Sequence, residues 1–146
     1  MQYSMSLDGL PELQKKLGKS GYVTAVKSGM QKAVVYLEGA IKKQTPVKTG
    51  QLRASFTHQV AADGMEGVIG SSKAYAPMVE SGTGVYAGKG RIYPISKKAL
   101  AWNGMVRKSV AGMRGRFFVK KAWEEEGGGK LLRFFTDEID GVLKSE

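Results

Sequence analysis

With 146 residues, 15.8 kDa, 42% hydrophobic and 25% charged side chains, the chain has the size and composition of one globular domain, and a wholly disordered chain is excluded. It holds no Cys and one His, which excludes disulfides, thiolate metal sites, a cysteine nucleophile and a multi-histidine metal centre. Lys and Arg outnumber Asp and Glu by 23 to 13, a net charge of +10, and Gly at 20 of 146 is roughly twice the usual ~7%, so the chain turns often or packs backbone closely.

Tyr3, Met5 and Leu7 alternate with polar residues, the period of a short half-buried strand. Asp8-Gly9 turns the chain, and Pro11 suits the first turn of a helix carrying Leu10, Leu13 and Leu17. Val23, Val26, Met30, Ala33, Leu37 and Ile41 recur at spacings of three and four, which predicts a long helix over 22–44. Glu38 and Lys42 form an i,i+4 pair on its wet side, and Gly29 and Gly39 within it point to close packing. Pro46 stops it. A strand over 55–62, with Phe56, His58 and Val60 on one face, turns at Asp63-Gly64 and returns over 65–71.

A short helix over 75–80 ends at Gly82, and Gly84, Gly88 and Gly90 make a flexible loop. Residues 92–95 read as an edge strand fragment, because Pro94 removes a ladder donor. Strands over 99–102 and 105–110 flank the Asn103-Gly104 turn signal. A helix over 117–126, a break at 127–129 and an amphipathic final helix through Leu131, Leu132, Phe135, Ile139, Val142 and Leu143 complete the chain. The expected class is α+β: a twisted antiparallel sheet, the long N-terminal helix on one face, and a C-terminal helix. The expected organisation is one domain over 1–126 and a glycine break with a helical extension over 127–146.

Little catalytic chemistry is legible. His58 reads as a packing or hydrogen-bonding residue, with nothing in the sequence to place a carboxylate or nucleophile beside it. The glycines of 84–90 lack the strand–loop–helix setting of a phosphate loop. Glu124, Glu125 and Glu126 are consecutive and fan around a solvated helix end, while Glu80 reads as half of a structural ion pair. No enzyme activity and no cofactor or metal are expected. No stretch approaches the ~20 apolar residues of a membrane helix. The first residues lack the basic and apolar regions of a secretory signal, so folding in a cytoplasm is expected.

The charge is uneven: +6 over 1–58, +7 over 59–120 and −3 over 121–146. Residues 84–121 hold ten Lys/Arg and no Asp or Glu. Such asymmetry points to a partner of opposite sign, either nucleic acid or an acidic protein face. Aromatic residues interleave the cations, as in single-strand binders, but core packing is the expected role for most of Tyr86, Tyr93, Trp102, Phe117 and Phe118. Lys97, Lys98, Arg107 and Lys108 are left as solvent-facing candidates, with Arg114 and Arg116 further along the segment.

Three stretches in order carry a resemblance: Thr45-Pro46-Val47-Lys48-Thr49-Gly50-Gln51-Leu52-Arg53-Ala54-Ser55 after the long helix, Ala74-Tyr75-Ala76-Pro77-Met78-Val79-Glu80-Ser81-Gly82-Thr83, and Arg116-Phe117-Phe118-Val119-Lys120-Lys121-Ala122 before the last helices. Together they resemble the small neck or tail-component proteins of long-tailed (siphovirus-type) bacteriophages and prophages, of the head–tail joining or tail-completion type. In the first motif Thr49 is expected to cap a new turn, Gly50 to redirect the chain, Leu52 to enter the core and Ser55 to begin the strand. In the second, Tyr75 and Val79 share a helical face and Gly82 ends the turn. Phe117 and Lys121 stand where the family pattern has prolines, and 92–113 is similar to a lysine-rich insert of some members. The resemblance implies a structural virion protein, made in the host cytoplasm, that forms ring-like homo-oligomers and meets adjacent neck or tail proteins. The cations of 97–116 would be its assembly interface, with DNA contact secondary. A basic nucleic-acid-binding module is the alternative.

Overall fold

In a computed structural model, residues 1–6 and 20–144 are described; the expected helix around Leu10, Leu13 and Leu17 lies outside them. The elements in chain order are β1 (Gln2–Ser6), α1 (Ser20–Gln44), α2 (Gln51–Ala54), β2 (Phe56–Val60), β3 (Glu66–Ser71), α3 (Ala76–Ser81), a 3-10 turn (Gly84–Ala87), β4 (Leu100–Trp102), β5 (Met105–Arg107), α4 (Phe118–Glu126) and α5 (Gly129–Lys144). The class is α+β, as the sequence predicts. Two compact units divide them, Met1–Lys73 with Val119–Glu146, and Ala74–Phe118. The final helix α5 packs along α1 inside the first unit.

The first unit is organised by α1. Its stripe of Val26, Met30, Ala33, Leu37 and Ile41 is buried, as its spacing predicts. Val23 is exposed and Tyr22 is buried in its stead. The sheet is antiparallel in the order β1-β3-β2, with Tyr3 and His58 both opposite Ile69. One face packs on α1, where Phe56 and Ile69 are buried and Gly67 lies under Val34 and Met30. The other flank of α1 receives α5. Gly29 there admits the Phe135 ring, which a Cβ would meet at 2.8 Å, and Tyr36 meets Phe134 with ring centroids 5.4 Å apart. Gly39 has nothing near it, so the close packing expected there is absent.

The second unit begins with α3, closed by Gly82 at φ 85. The expected flexible loop starts as the 3-10 turn, whose end is tied by the Lys89 N–H to the Gly84 carbonyl at 2.9 Å. The strand fragment expected at 92–95 is reduced to a single bridge from Ile92 to Val110, since Pro94 and the following turns break any ladder. Beyond that bridge β4 and β5 pair across Asn103-Gly104, with φ 45 and 75 at the two turn residues, the primed turn that dipeptide favours. Phe117 leads into α4 at φ 50, a conformation closed to a proline ring.

Candidate assembly interface

The first motif shapes the end of α1. The Thr45 hydroxyl, fully buried, donates to the Ile41 carbonyl at 2.6 Å, closing the last turn. Pro46 follows directly, and Gly50 takes φ 78 to start α2. Thr49 does not cap it: the cap position is Gly50, without a side-chain bond, and Thr49 is exposed. Leu52 is buried as expected. Ser55 ends α2 rather than opening the strand. Its Oγ bonds the Leu52 carbonyl at 2.7 Å and Ser71 Oγ at 2.6 Å, pinning the turn to the end of β3.

His58 does have a carboxylate beside it. Its Nδ1 bonds Glu38 on α1, and its Nε2 lies 3.1 Å from the Gln31 side-chain amide, within hydrogen-bond reach. Lys42 bonds the other Glu38 oxygen. Burial raises the Glu38 carboxyl, but the bonds from Lys42 and His58 outweigh it and hold the group below its ordinary range. The cluster therefore ties β2 to α1. It lacks the nucleophile that a triad requires. Among the described residues no group of three or more His, Cys, Asp or Glu could hold a metal ion, and no helix is long and apolar enough to cross a membrane.

Cations dominate the second unit, with eight Lys/Arg against Glu80 alone, a net +7. Glu80 is buried on α3 and engaged by its surroundings, and its carbonyl accepts the Phe117 N–H at 3.0 Å. Tyr75 caps α3 from an exposed position, and its carbonyl accepts the Val79 N–H at 3.1 Å. Lys97 and Lys98 precede β4, Arg107 ends β5, and Lys108 follows; all four are exposed. Arg114 is bridged at its backbone to Gly82, and its guanidinium stands 5.3 Å from the Tyr86 ring centroid, a cation–π contact. The Arg116 N–H donates to the Val79 carbonyl at 2.9 Å while its side chain is exposed. Among the described residues none of these six cations has a carboxylate partner. The aromatic expectation is corrected: Tyr86, Tyr93 and Phe117 are exposed, while Phe118 is buried; the Trp102 side chain lies outside the described residues.

The carboxylates of α4 and α5 stand among Lys120, Lys121, Lys130, Arg133 and Lys144, and several of them are bonded. Glu126 accepts from the Tyr36 hydroxyl and from Lys130, each at 2.5 Å, and Glu125 accepts from Gln44 at 2.5 Å. The Lys130 bond, then that of Tyr36, holds Glu126 low, and the same contacts raise Tyr36 and Lys130. Lys32 pairs with Glu138 and lowers it. Only the Glu126–Lys130 spacing was open to sequence reading. Tyr36 and Lys32 reach their partners across 90 and 106 residues. Asp137 and Asp140 are exposed, with no cationic partner among the described residues.

A family model described as "Bacteriophage HK97-gp10, putative tail-component" matches residues 10–82. The match takes in the first motif and the second as far as Gly82, and ends before the cationic segment. No curated protein and no solved structure matches the chain.

Proposed function

The chain belongs to the HK97-gp10-like family of phage tail components, and on that premise we propose that it is a virion protein of the head–tail junction or tail end that works by self-assembly and contact with neighbouring neck or tail proteins, without catalysis. The observation that carries this reading is the unit Ala74–Phe118, where Lys97, Lys98, Arg107, Lys108, Arg114 and Arg116 lack carboxylate partners among the described residues. Unpaired cations at this density call for an acidic surface. The C-terminal residues 121–146, at −3, offer one on the same chain.

A DNA-lined channel is the weaker reading. Duplex affinity changes with log salt at a slope of about −0.9 per phosphate neutralised, so several cations from each of many copies would grip DNA that must slide. The test is reconstitution. Phage lacking this chain should leave heads and tails unjoined, or tails unfinished, and the purified protein should restore complete particles by electron microscopy. Complete, infectious particles without the chain, or its absence from purified virions, would contradict the reading.

A further inference from the structure

We propose that the three-stranded sheet continues from one copy of the chain into the next, the outer edge of β1 pairing in parallel with the outer edge of β2 of a second copy. This rests on the self-assembly reading above and adds a main-chain contact to the charged one. The register shows which peptide groups are at issue, since the bonds of an antiparallel pair come from alternate residues. The Ala61 N–H donates to the Glu66 carbonyl at 2.8 Å and the Ser72 N–H to that of Ser55 at 3.4 Å, so Ser55, Thr57, Gln59 and Ala61 turn their peptide groups to β3. His58 and Val60 turn theirs outward. The Ser71 N–H donates to the Met1 carbonyl at 3.2 Å, so Met1, Tyr3 and Met5 serve β3 while Gln2, Ser4 and Ser6 turn outward. Among the described residues no strand takes up either outer edge.

Neither edge is blunted. Edge strands that must stay alone carry Lys, Pro or a bulge against pairing with another chain. A quarter of the chain's residues are charged, yet none in β1 or β2 is, none there is Pro, and both registers run without a bulge. A second copy fits both edges at once. β1 and β2 each run antiparallel to β3, so they are parallel to one another, and each is five residues long. A copy displaced sideways along the sheet therefore brings its β2 parallel to β1. In a parallel ladder, the outward groups of His58 bond the residues on either side of the one it faces. Bonds to Gln2 and Ser4 of the second copy thus set His58 opposite that copy's Tyr3. His58 and Tyr3 both lie opposite Ile69, on the face that packs on α1, so the helices of the two copies stay on one side of the joined sheet. Twofold pairing of like edges would close one edge of each copy and leave the other open. The head-to-tail contact closes both, and forms a ring when the rotation allows. Short strand pairs are marginal in water, so the cations remain the stronger part of the contact and the ladder sets its geometry.

The absence of native Cys makes the test direct. Full-length Ser4→Cys is mixed with full-length Thr57→Cys or Gln59→Cys, all at exposed positions on the sheet face away from α1, and oxidised, with Leu132→Cys on α5 as the control partner. A disulfide-linked dimer of Ser4→Cys with one of the two β2 variants is expected, at least roughly tenfold over the control. Ser4→Pro removes an outward N–H and spares the bonds to β3. It should keep the wild-type circular dichroism spectrum and associate roughly tenfold more weakly in sedimentation, while Ser4→Ala assembles as wild type does. Should Ser4→Pro not fold, the cross-link decides. Linkage no greater than with the control, preferred self-linkage of any one variant, or a folded Ser4→Pro that assembles as wild type does would each overturn the sheet continuation. Oligomers by sedimentation without the cross-link would remove the continuation and leave self-assembly standing. A chain that stays monomeric at every concentration would remove both.

Discussion

In the unit of Met1–Lys73 with Val119–Glu146, side chains bury one another: Met30, Ala33, Val34 and Phe56 lose all contact with solvent between α1 and its neighbours. In the unit Ala74–Phe118 the buried side chains among the described residues are Ala76, Glu80 and Phe118, and backbone takes over the packing. The Thr83 N–H donates to the Met113 carbonyl and the Val85 N–H to that of Ala111, each at 2.8 Å. A Cβ on Gly84 would sit 2.3 Å from the Ala111 oxygen, and one on Gly112 2.1 Å from that of Thr83. The first unit is thus held by side-chain volume and the second by its absence.

The comparison can be broken most severely at Met30. Met30→Asp places an unpaired charge where no solvent reaches, and a loss of more than ~4 kcal/mol is expected, abolishing the cooperative thermal transition in circular dichroism. Wild-type-like melting would remove α1 from the core. Gly112→Ala is the counterpart in the second unit. At φ 101, with the Thr83 oxygen in the way, it should cost about 1–3 kcal/mol or more. Hydrogen exchange should show Thr83 and Val85 amides losing protection while α1 keeps its own. Loss of α1 protection as well would mean that the two units melt as one.

Acid sharpens the same contrast. Glu38, Glu126 and Glu138 are held below the ordinary carboxylate value of 4.5 by their partners in the first unit. A carboxyl lowered in the folded state stabilises above its unfolded value and loses that stabilisation as pH falls through the folded one. Stability should therefore be flat at neutral pH and fall below about 4.5, with a shallower fall in Glu38→Gln. An unchanged acid limb in that variant would separate the cluster from stability. The smallest effect belongs to His58→Ala, which removes the link to Glu38 at a cost of about 1 kcal/mol and no loss of assembly. A turnover that depended on His58 would contradict the structural role given to it.

What was legible in the sequence is what repeats locally. The three-and-four spacing of α1, the Asp63-Gly64 and Asn103-Gly104 turns and the break before α5 each declare themselves within a few residues. Contacts that depend on register did not: Glu38 meets His58 across 20 residues, and Gly84 and Gly112 come together only once the backbone bonds form. Tyr86, Tyr93 and Phe117 are exposed although the sequence assigns them to a core, because apolar character alone does not supply a packing partner. Thr49 was misread because a glycine next to it at positive φ took the cap position.

The claim that the cationic segment drives assembly is tested most directly by the solution mass of a variant carrying Lys97→Glu, Lys98→Glu, Arg107→Glu and Lys108→Glu. Sedimentation of wild type across concentration and salt should show a monomer passing to a closed oligomer, less readily as salt screens the contact. The variant should keep the wild-type circular dichroism spectrum and remain monomeric. A folded variant that assembles as wild type does, or a wild-type monomer that changes mass only when DNA is added, would contradict the claim.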